Sequence, residues 1–328
     1  MDSLSLILDD MHFEGVRFVF SVNTSPWAWR LATPGVACAH QLVQGEAWLV
    51  REDEEPLHLQ AGDLVMLPAG TAHRIQDHPQ SLAKAQDMLP LMSDDAQAPT
   101  GMQNAAPHAC QIISTHARFD VNLAAPLIRA LPPLLHVRGH GASPPAWLSV
   151  GTHFLALQVA MQTPGQQAIL NRIGDILFMQ VIRDHVATVP EGSGTWLSAL
   201  KDKALSAALA CIHQHPSRNW TVPELAQQAC LSRSAFAERF TQTMGEPPLT
   251  YLTRHRMRLA ARHLSSSALP VSKVADLVGY ASEAAFSQAF KREFGASPTL
   301  WRQSRQPEAA APGALSGANP LSPSHPTA

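Results

Sequence analysis

Residues 232–245 read SRSAFAERFTQTMG and residues 282–295 read SEAAFSQAFKREFG, so the pattern S-x-x-A-F-x-x-x-F-x-x-x-x-G is written twice, each time with a proline (Pro248, Pro298) three places on. Ser232 and Ser282 stand where an N-cap belongs. The pairs Phe236/Phe240 and Phe286/Phe290 fall four apart on one buried face, and Gly245 and Gly295 stand where a helix ends. Before each copy runs a shorter helical pattern, TVPELAQQACLS (221–232) and VSKVADLVGYAS (271–282). Thr221 and Glu224 have capping-box spacing, and Gly279 permits a tight turn. Each unit therefore reads helix, turn, helix.

The two copies share a scaffold and differ on the outward face. One presents Arg233, Ser234, Ala237, Glu238 and Gln242; the other presents Glu283, Ala284, Ser287, Gln288 and Lys291. A constant frame under a changing polar face suits two readers of different DNA sequence, because the second helix of such a unit enters the major groove. Between them, PPLTYLTRHRMRLAARHLSSS (247–267) is helical by period and carries Arg254, Arg256, Arg258 and Arg262. Its roughly 17 helical residues span about 26 Å, enough to hold two readers near one DNA turn of about 34 Å. Charge agrees. The chain of 328 residues has net charge -2, but residues 1–200 hold 10 Lys and Arg against 18 Asp and Glu, whereas residues 201–305 hold 14 against 7. A basic half beside an acidic one points the C-terminal part at a polyanion.

Residues 203–302 resemble the DNA-binding domain of AraC/XylS-type bacterial transcription regulators, with VGYASEAAFSQAFKREFGASPTLWR similar to that family's most specific signature. The resemblance implies two helix-turn-helix units bridged by a long helix. It places Ser234, Ala237 and Glu238, then Glu283, Ala284, Ser287 and Gln288, toward bases. Glu238 stands where a basic residue is common, which turns the first reader toward cytosine N4 donors or toward Arg233 and Arg239. Arg254, Arg258, Lys291 and Arg292 are the expected phosphate contacts.

The N-terminal half has a different period. VRFVFSV (16–22), HQLVQGEAWLV (40–50), LHLQAGDLVMLPAG (57–70) and CQIIST (110–115) alternate between turns, the pattern of an all-β sandwich or barrel, with 93–108 as a polar loop. GDLVMLPAGTAHRIQD (62–77) resembles the second cupin motif, and the segment as a whole resembles the cupin-like ligand domain of a subset of these regulators. The first cupin motif is incomplete, since Leu42 stands where metal-binding relatives keep a histidine. His40, Glu46 and His73, with Cys38 or His116 as a fourth, remain candidate ligands for a divalent metal; a metal-free effector pocket is the alternative. Cys38 and Cys110 make an oxidant sensor conceivable, against inert buried thiols. Cysteine spacing fits no metal finger, and a reducing cytoplasm is the economical setting. The start has no secretory leader pattern, and no apolar run is long enough for a membrane span.

Trp147, Val150, Phe154, Leu157 and Met161 form one helical stripe, stopped by Pro164-Gly165 and followed by a second helical run over 166–186. This hairpin either covers the β domain or forms a homodimer interface. The expected architecture is α+β with two domains. Residues 1–142 form a cupin-like effector domain, 143–189 a helical hairpin, 190–197 a linker, 198–305 the double helix-turn-helix domain, and 306–328 a disordered tail. The chain then reads as a one-component activator or repressor whose partners are double-stranded promoter DNA, RNA polymerase, a small-molecule or oxidant effector and a second copy of itself. The rivals are a metal-dependent cupin enzyme with an appended DNA-binding domain and a nucleoid-type binder without effector.

Overall fold

Alternation places apolar residues on the inner faces of two five-stranded sheets. A computed structural model describes residues 2–10, 13–92, 109–139, 144–161, 163–190 and 192–305; the polar loop 93–108 and the tail 306–328 lie outside the described residues. The first sheet has the order β1 (Phe13–Asn23), β9 (Cys110–Phe119), β3 (Ala37–Gln44), β6 (Leu64–Leu67) and β10 (Leu135–Val137). The second has the order β5 (Leu57–Gln60), β4 (Glu46–Val50), β7 (His73–Gln76), β2 (Ala28–Leu31) and β8 (Gln86–Asp87). In the first sheet Cys38 pairs with His116, His40 with Ser114 and Leu42 with Ile112, so one face of β3 and β9 meets the interior. Leu42, Leu49, Leu59, Val65, Leu67 and Ile75 fill that interior, each at most 1% exposed.

The glycines of the cupin-like motif are there for close approach. A Cβ on Gly70 would stand 2.0 Å from the Thr33 carbonyl oxygen, and Gly62 packs against Gly139, whose amide donates to Asp63 at 2.7 Å.

The outer face of the first sheet is covered by the hairpin of α3 (Ala146–Met161) and α4 (Gln166–Thr188). Leu170, Ile173, Phe178, Val181 and Ile182 of α4 are buried, and Gly174 lets the helix lie against Val16. The stripe read from the sequence faces the other way. Val150, Phe154 and Leu157 are 69%, 45% and 47% exposed, joined by Ile176 at 61%, while Leu148 and Leu155 point inward. The side chain of Met161 lies outside the described residues.

Two further helices leave this domain. They are α1 (Ser3–Asp10) and α2 (Val121–Ala130), the latter capped by Asp120, whose carboxylate accepts from the amides of Asn122 and Leu123. Both dock on the C-terminal helices. Helix α1 meets α6 (Lys203–Gln214), where the Ser3 and Ser206 hydroxyls are 2.7 Å apart, and α2 lies on α9 (Pro248–Ser266). A single apolar cluster accordingly runs from Ile7 and Leu127 to Leu205, Phe236 and Tyr251.

The C-terminal domain is helical throughout. After the short α5 (Trp196–Ala199) and α6 come α7 (Val222–Gln228) and α8 (Arg233–Met244), the bridging α9, α10 (Val271–Leu277) and α11 (Glu283–Phe294), and α12 (Pro298–Arg305). The repeated letters do what their spacing implies. Ser232 and Ser282 accept from the amides of Ala235 and Ala285 at 3.3 Å, the four phenylalanines are 0% exposed, and Gly245 and Gly295 adopt left-handed φ of 75° and 74°. The units differ at the turn. Gly279 takes φ 81° in the second, whereas Cys230 takes φ 53° in the first.

Candidate nucleic-acid interface and effector domain

Both second helices, α8 and α11, turn one face to their own core and the other to solvent. On α8, Arg233, Ser234, Glu238 and Arg239 are exposed and Ala237 is half-buried; on α11, Glu283, Ala284, Gln288, Lys291 and Arg292 are exposed and Ser287 is half-buried. Glu238 accepts from Gln242 Nε2 at 3.1 Å one turn on, which stiffens the first reading face. Both helices pack on the one bridging helix, an arrangement by which a protein can set two such helices against the major groove of one duplex.

The arginines divide into reading groups and holding groups. Arg239 is ion-paired with Asp202, the N-cap of α6. Arg254 donates to Glu246 at 2.7 Å and pairs with Glu293 at 3.6 Å, tying the segment after α8 to α11. Arg256 donates to the carbonyls of Pro216 and Arg218 at 2.6 and 2.9 Å. Arg258, expected at phosphates, is only 7% exposed because α2 lies over its face of α9. That expectation is corrected: a guanidinium enclosed at the domain seam cannot reach a duplex. The helical period carried the signal, since Tyr251, His255 and Arg258 lie at i, i+4 and i+7 on one buried face.

In the β domain, His40 and His73 meet with Nε2 atoms 2.7 Å apart. His73 Nδ1 donates to the Thr71 carbonyl at 2.7 Å, so its Nε2 is the acceptor in the neutral ring; His40 Nε2 donates to it, and His40 Nδ1 accepts from the Ser114 hydroxyl at 2.8 Å. The pair is satisfied without charge. Burial, and then the neighbouring His73, hold His40 well below the usual imidazole pKa; burial lowers His73 as well.

A divalent metal does not fit these donors. Two imidazole nitrogens at about 2.0–2.1 Å from one tetrahedral metal stand roughly 3.3 Å apart, farther than this direct hydrogen bond. Glu46 does not join them either: although β4 neighbours β7 in the second sheet, its side chain is exposed and bonded to His58 at 3.0 Å. Cys38 and His116 share the inward face, but among the described residues no three His, Cys, Asp or Glu side chains converge to hold a metal. The expected ligand set is therefore corrected. Burial pushes the Cys38 thiol to about 11 and the Cys110 thiol to about 12, opposite to the shift a reactive thiolate needs, which favours the inert-thiol alternative. The space beside the first sheet lies on its outer face under the hairpin, a small apolar cavity of about 40 Å³ between Phe18, Met66 and Ile113 on one side and Leu155, Leu177 and Phe178 on the other.

Sequence reading did not anticipate a second, larger cavity, of about 410 Å³, at the seam of the two domains. Arg129 of α2, Trp196 of α5, Glu246, then Tyr251, Arg254 and Arg258 of α9 form its walls, with Glu293 of α11. None of the described helices is long and apolar enough to cross a membrane.

Residues 2–187 match the family described as Cupin, and residues 225–304 match a helix-turn-helix domain family. The HTH-type transcriptional regulator AlkR of Acinetobacter baylyi is 35% identical over 305 residues, covering 92% of this chain and 99% of that protein. A putative AraC-like transcription regulator of Streptomyces lividans is 31% identical, covering 84% and 90% respectively. The crystallised DNA-binding domain of AdpA, in complex with a target DNA, is 31% identical over 31% of this chain and 92% of that one, with a TM-score of 0.30. Two domains of these kinds in one chain, matched almost end to end by a relative, make the protein a member of the AraC-type transcriptional regulators: a DNA-binding regulator with an N-terminal cupin-like domain.

Proposed function

We propose that each chain reads two different, tandem half-sites about one DNA turn apart, and that the cupin-like domain adjusts this reading in response to a small molecule. The observation that carries it is the pair of exposed recognition helices held by one bridging helix on which α2 of the N-terminal domain directly rests. On this reading Arg233, Ser234, Ala237, Glu238, Glu283, Ala284, Ser287 and Gln288 face bases. Lys291 and Arg292 hold phosphates. The apolar outer stripe of the hairpin pairs two copies. RNA polymerase is the partner at the promoter, and the cytoplasm the setting.

Footprinting with wild type and Gln288→Ala tests the base assignment. The variant is expected to lose discrimination at one base pair, worth about 1–3 kcal/mol there, and to keep its affinity for random DNA. Equal losses on specific and random DNA would show that Gln288 does not read a base.

A further inference from the structure

Arg258 is only 7% exposed, and Tyr251, Glu246 and Glu293 act on its guanidinium through space rather than by a direct hydrogen bond among the described residues. Its nearest aromatic neighbour is the Tyr251 ring, at 5.9 Å from the centroid. A buried charge without a direct partner is costly, and burial pulls the Arg258 pKa down against the opposing influence of Tyr251, Glu246 and Glu293. The residue faces the seam cavity. There the other two arginines are differently placed: Arg254 is occupied by Glu246 and Glu293, while Arg129 reaches in from the cupin-like domain and donates its Nε to the Ala125 carbonyl, leaving its terminal nitrogens. The indole N–H of Trp196, buried in the same wall, also has no acceptor among the described residues.

Three arginines against two glutamates leave one positive charge to be balanced. A planar guanidinium matches a carboxylate through paired N–H donors. Pro126, Ala130 and Met244 give the remaining wall an apolar part that suits a short hydrocarbon body, and the volume falls in the range of small-molecule sites, roughly 300–1,000 Å³.

We propose that this cavity binds a small organic monocarboxylate between Arg258 of the bridging helix and Arg129 of α2, so that the ligand joins the two domains. The wall also contains Glu246, just beyond α8, and Glu293 of α11, which puts the bound anion next to the connection between the two readers.

The test uses the full chain, with phenylacetate and butyrate as probes, their uncharged amides as matched controls, and inorganic phosphate as a second anion. Calorimetric titration and thermal melting are expected to show both carboxylates binding and raising the melting temperature, with the amides silent. Arg258→Met should fold, because it replaces a buried charge that has no direct hydrogen bond with an apolar side chain of similar length, and should bind phenylacetate at least tenfold more weakly. Arg129→Gln should also weaken it, since both domains hold the anion. The proposal fails if neither carboxylate binds at millimolar concentration, if phenylacetamide binds as well as phenylacetate, if phosphate alone binds, or if a folded Arg258→Met retains wild-type affinity. None of these measurements contains DNA, so their outcome is separable from that of the half-site reading.

Discussion

Two glycines of the second helix-turn-helix unit, one at its turn and one at the end of its second helix, and one buried histidine show how much a single position can decide. A Cβ at Gly279 would sit 2.4 Å from the Ser217 carbonyl oxygen, in a backbone already at φ 81°. Gly295 has a similar φ, 74°, but open space around it. Gly279→Ala is therefore expected to cost about 3 kcal/mol, strain plus clash, and Gly295→Ala only about 1 kcal/mol, measured by urea unfolding. At His40 the folded pKa is depressed, so at pH above the unfolded value of about 6.5 both states are neutral and stability is unaffected. As pH falls below that value the unfolded chain takes a proton that the folded one refuses, and stability drops by up to about 1.4 kcal/mol per pH unit for this site. Buried His255 acts in the same direction in the other domain. Comparing the unfolding midpoint at pH 7 and pH 5, His40→Gln should show a smaller acid loss than wild type.

The recognition elements were largely legible, because caps, aromatic faces and terminal glycines are local signals, and all four of the spaced phenylalanines proved fully buried. The cupin-like motif was legible as a shape and misleading as chemistry. Its glycines serve backbone contacts, its histidines bond to each other, and the Glu46 side chain turns outward beside His58 of the paired strand β5, which only the strand pairing reveals. For the hairpin, periodicity found the stripe but could not say which way it faced. Since α4 covers the sheet with a different set of residues, the exposed Val150, Phe154 and Ile176 remain for another surface, and a second copy is the occupant proposed for it. Ile176→Arg should convert a dimer to monomers in sedimentation analysis while leaving the melting temperature within a few degrees, because the position is exposed in the single chain.

Across the whole molecule, the count of basic residues overstates what is offered to DNA. Four arginines of the basic half, Arg239, Arg254, Arg256 and Arg258, are paired, bonded to carbonyls or enclosed. That division is set by tertiary contacts to Asp202, Glu246, Glu293 and α2, none of which is adjacent in sequence to the arginine it engages. The salt dependence of DNA affinity should follow the remaining cations. Lys291→Ala is expected to reduce the slope of log affinity against log salt by about 0.9, one phosphate's share, and Arg258→Met to leave it unchanged.

The double tie from Arg254 to Glu246 and Glu293 also bears on how target sites can change over time. With both readers fixed to one rod, each base pair inserted between the half-sites would rotate the second half by roughly 34° about the duplex axis, out of reach of a reader that cannot follow. On the proposed tandem reading, operators of this regulator should drift in their letters but not in their spacing, so that new members of its regulon would arise by base substitution rather than by insertion or deletion.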